Sequence, residues 1–293
     1  MHKPVLLNET ISLLDPKPGD FFIDGTYGAG GHSKAILEKI GPTGKLLAVD
    51  WDDLGLKRNA IEDPRVMFRV GNYADLPKIL KENKLPKADG LIVDLGFSSE
   101  QIDSPDGQGR GFSFQKDEPL IMTYSDTIIP AKKFLKEVSE EDLMMILKEY
   151  GQERFARPIA KSIKNRVNIL PMETTRDLVE AILAAIPSGY RHRGSGIHPA
   201  TRTFQAIRIY INHELENLRR LLERIGEVIG VGGRVVIISF HSLEDRIVKN
   251  YFRMQEKVGK LKQLTKKPIT PSRVEIKINP RARSAKFRVA QII

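Results

Sequence analysis

The sequence predicts a doubly wound, Rossmann-like α/β fold whose sheet is mostly parallel, is interrupted by an all-helical insertion and ends in an antiparallel hairpin. Apolar runs of strand length alternate with helical patterns from residue 20 to residue 96, and the alternation returns near residue 213. Helix signals stand almost alone between these two stretches. We therefore expect one domain from residues 1–108 and 213–293, and a helical insertion domain from residues 109–212.

The first half of the predicted sheet consists of four apolar segments. Their near-continuous apolar character is typical of parallel strands that helices cover on both faces. Helical patterns follow the first strand up to Ile40, the second up to about Ile61, and the third from about Tyr73 to Lys84. The predicted strands are residues 21–26, 45–50, 66–70 and 88–96.

The middle of the chain changes character. Residues 96–114 are rich in Gly, Ser, Asp and Pro, which predicts a loop. Ser139, three residues before Asp142, resembles a capping box that opens an insertion helix. The segments ERFARPIAKSIKNR and TTRDLVEAILAAI have apolar residues at helical spacing, so two further helices are expected.

The last part of the chain completes the predicted sheet. HELENLRRLLERIGEVI, which begins at residue 213, predicts an amphipathic helix, and GVGG (230–233) predicts a turn. RVVIISF (234–240) predicts a buried strand. The segments 273–278 and 286–292, joined by PRARSA, predict the closing hairpin.

Composition excludes several classes of protein. The chain has no cysteine, which excludes disulfides, Cys-ligated metal sites and a thiolate nucleophile, and no metal is expected. No apolar run is long enough for a membrane span, and the N-terminus lacks the basic-then-apolar order of a signal peptide. We therefore expect a soluble cytoplasmic protein without a membrane partner.

Positive charge is concentrated near the C-terminus. The net charge is +10, and residues 246–293 contain 14 Lys and Arg against 2 Glu. Such a segment favours a polyanionic partner, because neutralised phosphates release counterions. A solvated, solubilising tail is the alternative, and composition alone does not choose between the two.

A glycine-rich turn between the first strand and the first helix is the strongest local motif. Glycines let the backbone approach a ligand closely, and the helix N-terminus offers free N–H groups. Asp50 ends the second strand, where a carboxylate can accept hydrogen bonds from ribose hydroxyls. A dinucleotide-binding site would require glycine where Ser33 stands, and Asp24, four residues before Gly28, favours S-adenosylmethionine instead.

Two further strand ends complete the predicted pocket. Tyr73 follows the third strand and is a candidate contact of the adenine ring, or simply a cap of the next helix. Asp94 ends the fourth strand at the crevice edge. Asp94 and Ser98 are candidates for gripping an amino group, and Phe97 either stacks on a base or belongs to the core.

The reaction expected from this pocket is in-line methyl transfer, which depends chiefly on alignment. An amino nitrogen conjugated to a base ring is a poor nucleophile, and a hydrogen-bond acceptor on its N–H improves it. Methylation of pyrimidine C5 commonly uses a Cys thiolate, which this chain lacks. An exocyclic or a ring nitrogen therefore remains among base methylations.

Seven segments together resemble the ribosomal RNA small subunit methyltransferase H family, also called MraW-like, over nearly the full length. They are DGTYGAGGHS (24–33), DLGFSSEQID (94–103), GRGFSF (109–114), YGQERFARPIA (150–160), HPATRTFQAIRI (198–209), ISFHSLEDRIVK (238–249) and NPRARSAKFR (279–288).

The resemblance implies a class I methyltransferase sheet and N4-methylation of a cytidine in the decoding region of small-subunit (16S) ribosomal RNA. The partner is then this RNA or the assembled small subunit, and the cofactor product is S-adenosylhomocysteine. For His32 and Gln101, the assignment as cofactor contacts is implied by the resemblance alone. The expected cofactor contacts are Asp24, Gly28, Gly30, Gly31, His32, Asp50, Tyr73, Asp94 and Gln101.

The chain departs from the usual family pattern at Ile121 and Thr123, where the family has Asp and Arg. If those two residues close the site in the family, Ile121 and Thr123 do not supply the same charges here. Arg202 and Arg208 are six residues apart, so on a helix they lie on different faces and one can pair internally.

His241 ends a buried strand at the same crevice edge as Asp94. We consider it a catalytic candidate that orients the substrate, the alternative being a structural histidine beside a helix-capping Ser242. RNA must turn a cytidine out of its stack to present N4. The expected RNA contacts are Arg202, Arg281, Arg283, Lys286 and Arg288.

Two other classes of function compete with this enzyme. One is an RNA-binding protein that keeps the fold without catalysis, which an assay with labelled methyl groups would separate. The other is a methyltransferase for a small molecule or a protein side chain, which would not need the basic C-terminus.

Overall fold

The computed structural model describes residues 4–96, 109–191 and 198–293. The chain divides into two compact units, Met1–Phe97 with Leu215–Ile293, and Ser98–Glu214. We propose that these units correspond to the two predicted domains. None of the helices in the described ranges is long and apolar enough to cross a membrane.

The first unit contains a seven-stranded sheet in the order β3-β2-β1-β4-β5-β7-β6. Strands β1 to β5 are parallel, and β7 is antiparallel to both of its neighbours, β5 and β6. The strands are β1 (Phe21–Asp24), β2 (Lys45–Asp50), β3 (Val66–Val70), β4 (Ala88–Asp94), β5 (Ile229–Ser239), β6 (Leu261–Gln263) and β7 (Lys286–Ile292).

Helices cover both faces of this sheet. They are α1 (Leu7–Leu14), α2 (Gly31–Ile40), α3 (Asp53–Asn59) and α4 (Leu76–Glu82) in the first part of the chain. In the last part they are α11 (Glu214–Glu223), α12 (Ile225–Val228), α13 (Ser242–Lys257) and α14 (Arg273–Ile278), with 3₁₀ turns at Tyr73–Asp75 and Pro280–Ser284.

The burial of successive strand residues explains the continuous apolar runs. Ile23 and Leu91 belong to the hydrophobic cluster on one face of the sheet, whereas Phe22 and Ile92 belong to the cluster on the other. Because side chains alternate between the faces, a strand that is buried on both sides needs apolar residues at every position.

The second unit is helical and has a hydrophobic core of its own. Leu147, Ile163, Ile182 and Ile207 are fully buried in that core. Ser139 caps α6 by accepting a hydrogen bond from the Asp142 N–H at 3.0 Å, as predicted. The described helices are α5 (Ala131–Glu137), α6 (Glu140–Gly151), α7 (Ala156–Ile169), α8 (Thr175–Ala185), α9 (Ser188–Arg191) and α10 (Thr201–Ile211).

The closing antiparallel pair exists, but one of its predicted strands is wrong. Residues 273–278 form helix α14, and β7 pairs with β6 and β5 instead. The Ser272 hydroxyl accepts a hydrogen bond from the Glu275 N–H at 3.1 Å and so caps the helix. Val274 and Ile278 are exposed, so their alternation does not mark a buried strand face.

The predicted turn at GVGG is also wrong. Residues 230–233 lie within β5, where the register jumps from Ala88↔Ile229 to Gly90↔Arg234. The extra residues form a bulge, and Gly232 has a φ of 84°, a conformation that glycine adopts at little cost.

Candidate active site

The candidate site lies in the first unit, where the strand order reverses. Strands β1 and β4 are neighbours, but the chain runs outward through β2 and β3 before it returns to β4. Asp24, Asp50 and Asp94 stand at the carboxyl ends of β1, β2 and β4. In doubly wound sheets the crevice outside these strand ends is where ligands bind.

Asp24 lies beneath the glycine-rich turn and is only 2% exposed. Its Oδ2 accepts a hydrogen bond from the Ser33 hydroxyl at 2.7 Å, and its Oδ1 accepts one from the Thr26 N–H at 3.2 Å. Burial raises the pKa of Asp24, and the Ser33 hydroxyl opposes that rise. Asp24 thus ties the turn to the start of α2, and its predicted contact with the cofactor stays a prediction.

The glycine-rich turn brings backbone N–H groups to the crevice. The Gly28 N–H donates to Asp50 Oδ2 at 2.7 Å. Gly30 has a φ of 72°, and a Cβ there would lie 2.6 Å from the Tyr27 hydroxyl oxygen. Only glycine fits this position without displacement of Tyr27, and Gly31 then begins α2.

His32, in the first turn of α2, is 7% exposed. Neither of its ring nitrogens has a hydrogen-bond partner among the described residues, and Nε2 lies 3.5 Å from Asp94 Oδ2. Buried polar atoms without partners are rare in native proteins, because each costs free energy. Their position at the crevice fits a site that a polar ligand completes.

Asp50 keeps capacity for a ligand while it supports the turn. Its Oδ1 accepts a hydrogen bond from the Asp52 N–H at 2.9 Å, and its Oδ2 accepts the Gly28 bond. Each carboxylate oxygen can accept a second hydrogen bond, which fits the predicted ribose contact. Burial raises the pKa of Asp50 to about 6, with the two backbone bonds opposing the rise.

Tyr73 opens the 3₁₀ turn after β3 and is partly buried against the core. It does not cap that turn, because the Asn72 side chain accepts the Ala74 N–H at 2.9 Å and takes that role. Its predicted contact with the adenine ring stays a prediction.

Asp94 joins the two central strands at the crevice. Its N–H donates to the Thr26 hydroxyl at 2.7 Å, and its Oδ1 accepts a hydrogen bond from the Gly96 N–H at 3.0 Å. Asp94 Oδ2 lies 3.5 Å from His32 Nε2. Ser98, Phe97 and Gln101, the remaining predicted residues of this region, lie outside the described residues.

His241 forms the N-cap of α13. Its Nδ1 accepts a hydrogen bond from the Glu244 N–H at 3.4 Å, and the Glu244 carboxylate accepts one from the His241 N–H at 3.2 Å. The expectation that Ser242 caps this helix is wrong, because the cap lies one residue earlier. The substrate-orienting role of His241 stays a prediction.

One predicted RNA contact is wrong. Arg288 is 3% exposed, and its Nε donates to Asp245 Oδ1 at 2.7 Å. It lies in β7 on the same face of the sheet as Ala290, and the helix that carries Asp245 packs on that face. Lys286 is more exposed and lies 3.4 Å from Asp245 Oδ2, and Arg281 and Arg283 are exposed.

The two arginines of the HPATRTFQAIRI segment differ as expected. Arg208 forms two hydrogen bonds with the Glu214 carboxylate, at 2.7 and 2.8 Å, so it pairs internally. Arg202 is exposed and donates to the Gln152 carbonyl at 3.3 Å. Thr123, one of the two departures from the family pattern, is buried.

Sequence reasoning missed Thr26 and Ser33, which hold the crevice together. Ser33 entered the argument only as a position where a dinucleotide fingerprint requires glycine. In the structure its hydroxyl is the partner of Asp24, the acidic residue that distinguished the two cofactors. The signal available in the sequence was the hydroxyl of Ser33, nine residues after Asp24 and on the other side of the glycine-rich turn.

The fold defines a Rossmann-like protein with a candidate ligand crevice at the switch point of its sheet. The MraW methylase family model matches residues 1–293, and the chain belongs to this family. S-adenosylmethionine is accordingly its methyl donor, as the sequence predicted, and the predicted fold class is confirmed.

Curated relatives match the chain along its whole length. A protein of Thermotoga neapolitana is 46% identical over 100% of this chain and 96% of its own length. Proteins of Clostridium botulinum and Heliobacterium mobile are 43% and 42% identical, each over 100% of this chain and 99% of their own length. All three bear the name ribosomal RNA small subunit methyltransferase H.

Solved structures resemble the chain more distantly. Fibrillarin of Aeropyrum pernix, with S-adenosylmethionine bound, has a TM-score of 0.42 at 9% identity and covers 94% of this chain and 67% of its own. An O-methyltransferase of Thermotoga maritima has a TM-score of 0.42 at 10% identity and covers 100% of this chain and 68% of its own.

Proposed function

We propose that the protein transfers the methyl group of S-adenosylmethionine to N4 of a cytidine in the decoding region of small-subunit ribosomal RNA. Full-length relatives that bear the name of a small-subunit ribosomal RNA methyltransferase support the RNA substrate. The absence of cysteine supports a nitrogen rather than C5 as the acceptor.

The observation that carries the proposal is a pair of side chains at the switch point of the sheet. The ring nitrogens of His32 have no hydrogen-bond partner among the described residues, and Nε2 lies 3.5 Å from Asp94 Oδ2. A bound S-adenosylmethionine supplies a methyl group on a positively charged sulfur. The Asp24 and Thr26 hydrogen bonds hold the turn and the two strand ends in place, so alignment does not depend on flexible elements.

Asp94 is the proposed acceptor for the N4 amino hydrogen. With Oδ1 fixed by the Gly96 N–H, Oδ2 can accept this hydrogen and turn the nitrogen lone pair toward the methyl carbon. The N–CH₃ bond forms as the S–CH₃ bond breaks, S-adenosylhomocysteine leaves and one proton passes to water. Ser98 remains a proposed second partner of the amino group on sequence grounds.

RNA phosphates are the proposed partners of Arg202, Arg281, Arg283 and Lys286. Arg202, Arg281 and Arg283 have exposed side chains. Arg281, Arg283 and Lys286 also lie in the C-terminal segment, which carries excess positive charge. Arg288 is not among these partners, because it is buried and pairs with Asp245.

The test is methyl transfer from labelled S-adenosylmethionine to small-subunit RNA, either naked or in assembled subunits, that has not been methylated before. We expect label in one cytidine, located at N4 by nuclease digestion and mass spectrometry. Asp94→Asn should lower turnover at least about a hundredfold, since it exchanges an acceptor for a donor. Glu82→Gln, which changes an exposed carboxylate on α4, is the matched control. Label in another base, or none in either RNA, would refute the proposal.

A further inference from the structure

The outer face of α13 carries four exposed cations, which we call the α13 stripe: Arg246, Lys249, Arg253 and Lys257. They are three or four residues apart, so at 3.6 residues per turn they lie on one face of the helix. At a rise of 1.5 Å per residue the stripe is about 16 Å long.

The opposite face of α13 is the one that packs on the sheet. Val248 and Phe252 are fully buried in the core of the first unit, and Glu244 and Asp245 are buried near the start of the helix. The α13 stripe therefore faces away from the core of its unit.

The acidic residues of α13 do not neutralise the stripe. Glu244 is held by the N–H groups of the helix cap, at 2.8 and 3.2 Å. Asp245 pairs with the buried Arg288, and Glu256 accepts the backbone and side-chain N–H groups of Gln263 at 2.8 and 2.6 Å. None of the four stripe cations forms an ion pair within the described part of the chain.

Other helices of this protein show what an ordinary solvated face is like. On α4 Lys78 lies 3.8 Å from Glu82, and on α5 Lys133 lies 3.9 Å from Glu137. Such i,i+4 pairs interleave opposite charges along a surface. The α13 stripe has cations alone, which costs self-repulsion unless an anion approaches it.

The position of the stripe relates it to the candidate site of the same unit. Strand β5 pairs with β4 so that Ile238 lies opposite Asp94, and α13 begins a few residues later at Ser242. Arg246 thus lies at the crevice end of the helix, and the other three cations lead away from it.

We propose that the α13 stripe binds the phosphate backbone of the RNA strand that enters the crevice. This inference rests on the proposed function and assigns the start of the basic C-terminal segment, residues 246–257, to one helix face. Guanidinium and ammonium groups at regular spacing suit successive phosphates, which they contact without reading the base sequence.

The test removes the four charges together. In the full-length protein, Arg246→Gln, Lys249→Gln, Arg253→Gln and Lys257→Gln should make the slope of log K against log salt shallower by about 3, for four lost phosphate contacts. The KM for RNA should rise at least about tenfold with kcat at saturating RNA unchanged, because a backbone contact positions RNA without taking part in methyl transfer. The affinity for S-adenosylmethionine, measured by calorimetry, should not change.

Two further variants separate the stripe from charge in general. The exposed lysines Lys39, Lys45, Lys81 and Lys84, at the other end of the sheet, are changed to Gln as a matched control with the same loss of charge. A variant that has Lys in place of Arg and Arg in place of Lys at the four stripe positions keeps all four charges. It should bind RNA as the wild-type protein does. An equal slope in the stripe variant and the matched control would overturn the inference.

The outcomes also distinguish the two proposals. If the wild-type protein methylates RNA but loss of the stripe leaves its salt slope unchanged, the stripe inference fails and the proposed function stands. If RNA binds through the stripe but no methyl group is transferred, the proposed function fails. A stripe variant that loses binding to vesicles of anionic lipid, and not to RNA, would assign the surface to a membrane and overturn the inference.

Discussion

Asp24, Asp50 and Asp94 end three neighbouring strands of the sheet, and they differ in exposure. Asp24 is only 2% exposed, and its oxygens accept hydrogen bonds from Ser33 and Thr26. Asp50 and Asp94 are less buried, and their oxygens accept backbone N–H groups. Exposure at the crevice, rather than the number of bonds within the chain, therefore favours Asp50 and Asp94 as ligand contacts.

The raised pKa of Asp50 predicts that cofactor affinity depends on pH. The ionised carboxylate accepts hydrogen bonds from ribose hydroxyls and attracts the sulfonium, so binding favours the ionised form. With a pKa of about 6, affinity should increase as pH rises through 6 and level off above it. Calorimetry should find S-adenosylmethionine bound about tenfold more weakly at pH 5 than on the plateau, for one proton removed on binding.

The matched variant for this prediction is Asp50→Asn, which keeps the size of the side chain. Its affinity should be low and nearly constant between pH 5 and pH 8. The wild-type protein would contradict the assignment if its affinity were equally flat, or if it fell with rising pH.

Sequence spacing predicted the strand-end aspartates because parallel strands present their carboxyl ends at one edge of the sheet. The partners of these residues could not be predicted in the same way. The bond from Ser33 to Asp24 depends on how the turn folds back, and the burial of Arg288 depends on α13 placing Asp245 beside β7. Charge alone predicted an exposed Arg288, and pairing with Asp245 removed it from the surface.

The α13 helix shows how one element can hold both a cap and a surface. At its first turn His241 and Glu244 form a capping box, in which each side chain satisfies a backbone N–H group. The helix is therefore anchored directly after β5, at the same sheet edge as Asp94. The histidine that the sequence offered as a catalytic candidate is built into this anchor.

Substitutions at His241 separate its cap from any chemical role. Asparagine is a favoured N-cap residue, so His241→Asn should keep the stability of the protein, whereas His241→Ala should lose about 1 kcal/mol of unfolding free energy. Denaturant unfolding measures both. If the imidazole orients the substrate, as predicted, the stable His241→Asn protein should lose most of its turnover. Methyl transfer by His241→Asn at close to the wild-type rate would contradict that role and leave His241 the cap alone.

The misassigned segment 273–278 shows where periodicity fails at the scale of an element. Val274, Ile276 and Ile278 alternate as in a strand, but a segment this short also fits a helix. The Ser272 and Glu275 pair, a capping signal, was the better guide. β6 has only three residues, too few for any periodic pattern, so its pairing with β7 could only be seen in the fold.

At the scale of the whole molecule, the described residues of both units form hydrophobic clusters. Two of these clusters lie on the two faces of the sheet, and another lies among helices α5 to α8 and α10. The predicted division into two domains rests on the change from alternating strands and helices to helices alone, which is visible over many residues of the sequence. The candidate cofactor site, as far as the chain is described, is made by the first unit alone.

Cofactor binding should therefore protect the two units unequally. Ligand at a hundred times its Kd stabilises the state that binds it by about 2.7 kcal/mol, which slows exchange through global opening of that unit about a hundredfold. Hydrogen exchange with mass spectrometry on the full-length protein should show this protection in β1, β2 and β4 and in residues 25–33. The amides of α6 and α7 should change little, because these helices pack in a separate hydrophobic cluster. Protection by S-adenosylmethionine that is confined to α6 and α7, with residues 25–33 unchanged, would place the cofactor elsewhere and contradict the site.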